Sequence, residues 1–160
     1  MTSMVETGIY IGVAATLIWA ASTDLKDRRI PNIQPLIILG LFCILALFQL
    51  ITGNAVMQAL IWPVLAGTLV LAFCIVLFAL KLMGGGDVKL MAVMALIAGP
   101  AYSLSFLFFT AISGGLIALV MVINKHLIAR NNEPPKVPYG VAIMAGGIWV
   151  CFQKIVTATA

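Results

Sequence analysis

The chain has 160 residues, of which 63% are hydrophobic and only 9% are charged, and its mean hydropathy is +1.18. These values exclude a soluble globular protein. The formal net charge of +4 is explained by basic residues in the connections between apolar runs, where they attract anionic lipid headgroups, so no nucleic-acid partner is indicated.

The apolar runs predict the membrane spans. The length accommodates about six spans of roughly 20 residues with short connections, and no separate soluble domain. We place the spans at residues 6–23, 33–51, 57–80, 87–99, 102–123 and 138–157, the fourth being short. We therefore expect an all-α polytopic membrane protein in which residues 1–160 form a single domain.

The distribution of basic residues predicts the orientation of the chain. Eight of the nine Lys and Arg residues fall in or beside the first, third and fifth connections. By the positive-inside rule these connections are cytoplasmic. The N-terminus and the C-terminus are then both expected on the extracytoplasmic side.

The chain contains five acidic residues, which are Glu6, Asp24, Asp27, Asp87 and Glu133. An ionisable group costs about 2.5 to 3.5 kcal/mol at the bilayer centre and less near the interface, so each needs an explanation. Glu6 and Glu133 are explained as solvated ends, and Asp27 by its basic neighbours. Asp24 and Asp87 differ because two predicted spans separate them, which brings both to the same face of the membrane. We expect these two carboxylates to meet.

Each of these two aspartates also has a purely structural explanation. Asp87 would be a suitable N-cap for the fourth helix, and Asp24 would suit a helix end that reaches headgroup water. The three glycines at residues 84–86 favour a functional site, because glycine allows positive φ and the close approach of another chain. A flexible hinge between helices is the competing explanation.

Three segments, in this order, resemble the motifs of the prepilin peptidases, which are membrane aspartic proteases of the GxGD type. They are "TDLKDRRIPN" (23–32), "GGGDVKL" (84–90) and "PYGVAI" (138–143). The likeness covers essentially the whole chain, whose size is most similar to the short form that serves Flp-type (Tad) pilus systems. The resemblance implies that Asp24 and Asp87 are the catalytic pair and that Gly84 and Gly86 are the fixed glycines. The other motif residues expected near the substrate are Arg29, Pro31, Asn32, Lys89, Pro138, Tyr139 and Gly140.

The resemblance also implies a function. The family removes the basic leader from pilin-like preproteins with a single hydrophobic segment, at the cytoplasmic face of the bacterial inner membrane. Besides this substrate and membrane lipids, other copies of the chain and pilus-assembly proteins are candidate partners. The chain lacks the N-terminal cytoplasmic segment and the paired cysteines of the larger bifunctional members. We therefore expect no methyltransferase domain, no S-adenosylmethionine or other cofactor, and no metal.

Elementary chemistry agrees with a two-aspartate protease. One ionised carboxylate takes a proton from water while a protonated one polarises the scissile carbonyl, and close like charges give this shared-proton state. The helix dipoles predict Asp87, at a helix N-terminus, as the initial base and Asp24, at a helix C-terminus, as the acid. Lys89 lies about 200° around the helix from Asp87. Two roles are open for it: its side chain contacts the substrate or lipid headgroups, or it simply extends to the membrane interface. Asn32 is expected to cap the second helix.

Three alternatives remain open at this point. A cation or proton transporter with paired aspartates would need carboxylates deeper in the membrane and a polar path to the outer face. A non-catalytic scaffold of a pilus or secretion assembly would tolerate replacement of both aspartates. An intramembrane protease of the presenilin type fits less well, because Asp24 lies at a span end and the chain is short.

Overall fold

A computed structural model of the protein describes residues 2–128 and 138–159, and the side chains of residues 4–123 and 138–158. These residues form helices and short connections, with no strand among them. The helices in chain order are α1 (Thr2–Asp27), α2 (Ile33–Ile51), α3 (Trp62–Ala79), α4 (Gly85–Ile128) and α5 (Tyr139–Thr159), with a short π-helix at Met57–Ile61 leading into α3. The predicted fold class, an all-α protein with several membrane-spanning helices, is confirmed.

The predicted number of six spans is not confirmed by helix length and composition. By these criteria, five helices among the described residues could cross a membrane. One of them, α4, consists of two helices that meet at Gly99 (φ 65°, ψ −178°), just before Pro100, and these two helices correspond to the predicted spans 87–99 and 102–123. The N-terminal half of α4, residues 85–98, is about 20 Å long, which is shorter than the roughly 30 Å hydrocarbon core. The orientation of the termini stays a prediction.

The helices pack in an arrangement that brings distant parts of the chain together. α5 packs against α1 and α4, α4 also packs against α3 and α2, and α1 packs against α2. The interior is apolar, and its fully buried side chains include Val13, Leu17, Ile38, Leu90, Met94, Phe106, Ile143 and Val150. The outer surface carries exposed large apolar side chains such as Leu36, Leu69 and Leu104. Such a surface suits contact with lipid.

Two adjacent glycines set the position of α5. A Cβ at Gly146 would contact the Thr110 hydroxyl of α4, and a Cβ at Gly147 would lie 2.5 Å from a methyl carbon of Leu17 on α1. Small residues permit such close helix packing in membranes. α5 is thereby held between α1 and the C-terminal half of α4, residues 100–128.

One predicted connection is only partly described. Residues 129–137, which include Glu133 and most of the connection predicted at 124–137, lie outside the described residues. The predicted sixth span at 138–157 corresponds closely to α5.

Candidate active site

Asp24 lies in the last turn of α1 and is almost completely buried, with 7% of its surface exposed. Its carboxylate oxygen Oδ2 accepts a hydrogen bond of 2.7 Å from the backbone N–H of Gly140. Gly140 lies in the first turn of α5, where backbone N–H groups have no partner within the helix. A charge-assisted hydrogen bond therefore joins the end of α1 to the beginning of α5.

Asp87 lies in the first turn of α4, which begins at Gly85. It does not occupy the N-cap position that its structural explanation required. Its Oδ2 instead accepts a hydrogen bond of 3.2 Å from the backbone N–H of Gly84, as an acidic side chain in the first turn does when it reaches back to the helix start. The carboxylate is therefore oriented by the residue that precedes its own helix.

The two carboxylates lie at the same end of the molecule. Ile30, in the connection that follows Asp24, packs against Gly86, next to Asp87, as expected if the topology brings the two side chains together. Because Gly140 brings the N-terminus of α5 to Asp24, both carboxylates lie at a helix N-terminus. The predicted division of roles, with Asp87 as base, considered only the C-terminus of α1. The N-terminus of α5 offsets the effect of the α1 C-terminus on Asp24, so the assignment of base and acid stays a prediction.

The three glycines before Asp87 have different roles. A Cβ at Gly84 would lie 2.9 Å from Oδ2 of Asp87, and a Cβ at Gly86 would lie 3.0 Å from both Cβ and the carbonyl oxygen of Ile30. A Cβ at Gly85 would meet its nearest atom at an ordinary 3.5 Å. None of the three has a positive φ, so that part of the expectation is wrong. Close approach, at the first and third positions only, explains the GxG spacing.

The segment after Asp24 is attached to α4 by two contacts. Ile30 packs against Gly86, and Oδ1 of Asn32 accepts a hydrogen bond of 2.9 Å from Nζ of Lys89. Asn32 occupies the N-cap position of α2 but makes no side-chain capping bond, so the predicted cap is wrong. Lys89, although exposed, has a partner within the protein that neither of its predicted roles included.

The remaining motif residues lie in the connection after α1 and at the start of α5. Arg29 and Pro31 are exposed in the connection between α1 and α2. Pro138 immediately precedes α5, and the Tyr139 ring packs beside Gly114 of α4, at 3.8 Å from the position of an added Cβ. Their position near the substrate stays a prediction.

Gln34 is a residue near the site that the sequence reasoning missed. It is completely buried, and its Nε2 donates a hydrogen bond of 3.0 Å to the hydroxyl of Thr23, next to Asp24. Its Oε1 is buried without a partner among the described residues. The available signal was an amide at the beginning of an apolar run, which is costly in a membrane unless it is hydrogen-bonded.

The chemistry available to the site is that of carboxylates and backbone donors. In residues 2–128 and 138–159, no three His, Cys, Asp or Glu side chains are grouped as metal ligands. Two interacting carboxylates, each held by a backbone N–H, can position and deprotonate a water molecule.

Comparison with known proteins identifies the family. The model of the type IV leader peptidase family matches residues 11–119, more than half of the chain. The matched region contains Asp24 and Asp87 and ends before Gly140. No curated protein and no solved structure matches the chain significantly. The chain therefore belongs to the type IV leader peptidase family and is a membrane protease.

Proposed function

We propose that the chain is a prepilin peptidase of the short Flp/Tad type. It removes the basic leader from a pilin-like preprotein at the cytoplasmic face of the bacterial inner membrane. The observation that supports this most is the packing of the connection after Asp24 against Gly86, next to Asp87. The two aspartates come from distant parts of the sequence, and a glycine N–H orients each of them.

The mechanism follows from the oxygen atoms of the two carboxylates. Oδ2 of Asp24 and Oδ2 of Asp87 accept the backbone hydrogen bonds, so, with respect to the described residues, Oδ1 of each is left for water and for the scissile carbonyl. One ionised carboxylate removes a proton from the attacking water, while the protonated partner donates a hydrogen bond to the carbonyl oxygen. As the tetrahedral intermediate collapses, the C–N bond breaks and the carboxyl that took the proton from water gives it to the leaving amine.

The proposed cytoplasmic position rests on the surrounding charge. Basic side chains of the first and third connections occur at the end of the molecule that carries the two aspartates, and they are Lys26, Arg28, Arg29, Lys81 and Lys89. An excess of Lys and Arg is typical of the cytoplasmic side. A preprotein whose leader is cytoplasmic and whose hydrophobic segment is in the membrane would present its cleavage site at this depth.

The interior offers less support to a transporter. Besides Asp24, the buried polar side chains among the described residues are Thr16, Gln34 and Thr110, and the rest of the core is apolar, including Leu17, Leu90 and Met94. A cation or proton pathway requires polar groups across this depth. A scaffold would keep its function when the aspartates are replaced, whereas a peptidase would lose its activity.

Cleavage of a co-expressed pilin-like preprotein, read as a gel shift at matched membrane levels, tests the proposal. We expect the wild type and Asp27→Asn to cleave, because Asp27 is exposed at the end of α1. We expect Asp24→Asn and Asp87→Asn to be inactive. Normal cleavage by either of these two variants would favour a scaffold or transport role.

A further inference from the structure

An apolar groove opens beside the two carboxylates. It has a volume of about 940 Å³ and lies between α3, both halves of α4 and the start of α5. Along the C-terminal half of α4 its lining includes Leu104, Phe108, Ala111, Gly115 and Ala118. This lining combines large apolar side chains with small residues.

The groove lies next to the candidate active site. Met83 and Tyr139 line it, and each immediately precedes a glycine whose N–H binds one of the two carboxylates. Met91, also in the lining, lies one helical turn after Asp87 and therefore on the same side of α4, about 6 Å further along. One end of the groove is therefore close to the two carboxylates.

The groove extends from the carboxylates towards the membrane interior. A Cβ at Gly114 would lie 3.5 Å from Ala142 and 3.8 Å from Tyr139, so Gly114 is level with the start of α5 and with Asp24. From there to Leu104, at the far end of the lining, α4 rises about 15 Å. This length accommodates two to three turns of another helix.

The face of α4 in the groove is open. A Cβ at Gly115 would meet no atom within 4 Å, and Ala111 and Phe108 are exposed. Gly115, Ala111 and Ala118 are small enough to let the backbone of a second helix approach closely, as at helix interfaces in membranes.

We propose that this groove binds the first two to three turns of the hydrophobic segment of the preprotein, as a helix, with the bond to be cleaved at Asp24 and Asp87. This inference rests on the proposed function. The apolar lining accepts the hydrophobic segment and excludes the basic leader, which remains on the side of the connections. The groove therefore fixes both the direction of the substrate and the position of the scissile bond.

Disulfide cross-linking tests the position of the segment. Cys43 is the one exposed cysteine among the described residues, and Cys43→Ser removes it from all the proteins compared. Asp24→Asn is added to each of them so that the substrate is not cleaved. Ala111→Cys places a thiol in the groove. Gly40→Cys is the matched control, because Gly40 is exposed on α2 and an added Cβ there meets nothing within 4 Å. The substrate carries a single cysteine at successive positions of its hydrophobic segment.

We expect Ala111→Cys to cross-link to substrate positions three or four residues apart within the first three turns, at least tenfold more than Gly40→Cys does. The proposal would be overturned by equal cross-linking from both positions or by cross-linking without periodicity. It would also be overturned if the groove cysteine cross-linked to a second copy of the chain or to no protein at all. The last outcome would mean that the groove holds lipid only.

Cleavage by the same chain with Asp24 intact is measured in parallel. Cleavage without cross-linking from the groove would overturn this inference alone. Cross-linking without cleavage would overturn the peptidase function and keep the groove as a binding surface. As a second readout, Gly115→Leu should raise KM for the full preprotein at least tenfold with kcat unchanged, whereas Gly40→Leu should leave both constants unchanged.

Discussion

The backbone of Gly140 has a direct role in the proposed active site, and Gly140→Ala tests it. A Cβ at this position would lie 2.8 Å from both Cβ and Oδ2 of Asp24. Ordinary contacts begin near 3.4 Å, so the two groups must separate by about 0.6 Å. Such a separation lengthens the 2.7 Å hydrogen bond that holds the carboxylate.

The size of the effect follows from this displacement. A hydrogen bond to a charged group contributes about 1.5 to 3 kcal/mol, and a misplacement of about 1 Å can lower a rate by about 100-fold. We expect kcat/KM to fall about 10- to 100-fold, which corresponds to about 1.4 to 2.7 kcal/mol of transition-state stabilisation. The fold should persist, because alanine favours the helix more than glycine does.

The assay is the initial rate of preprotein cleavage by purified protein in detergent or liposomes. Gly85→Ala is the matched control, because it makes the same change in the first turn of a helix beside the other carboxylate, where the added Cβ makes an ordinary contact. We expect its rate to stay within about twofold of the wild type. A Gly140→Ala rate within twofold of the wild type, or an equal loss in both variants, would refute the reasoning.

Two further predictions concern thermal stability in detergent. Gly86→Ala should lower the melting temperature, since its Cβ would lie 3.0 Å from the carbonyl oxygen of Ile30, whereas Gly85→Ala should not; equal melting temperatures would contradict the explanation of the glycine spacing. Gly99→Ala should destabilise the protein by about 1 to 3 kcal/mol, because φ 65° with ψ −178° is a conformation that alanine rarely adopts. Gly40→Ala, on a regular helix, is its control, and an unchanged melting temperature for Gly99→Ala would show that α4 can continue without the break.

Part of this site could be predicted from the sequence, because scarce charges in an apolar chain have few explanations. Asp24 and Asp87 stood out since two predicted spans separate them and since glycines precede the second. The apolar runs also predicted helices close to α2 and α5. The number of spans stays a prediction, because glycine and proline at positions 99 and 100 suit either a turn between two spans or a break within one helix.

The contacts between elements could not be predicted. The N–H of Gly140 meets Asp24 only because α5 packs against α1, and sequence spacing carries no information on that approach. For the same reason the side chain of Asn32 was assigned to its own helix, although it binds Lys89 on another. Local patterns describe an element and its ends, whereas tertiary packing decides which partner a polar side chain finds.

The most direct test of the account compares purified wild type with Asp24→Asn, Asp87→Asn and the double variant, using kcat/KM for preprotein cleavage. If the two carboxylates act as one unit, each single variant should lose on the order of 10³-fold or more, and the double variant should be no worse than either. Modest losses in the single variants that multiply in the double variant would contradict the account, because the two aspartates would then act independently.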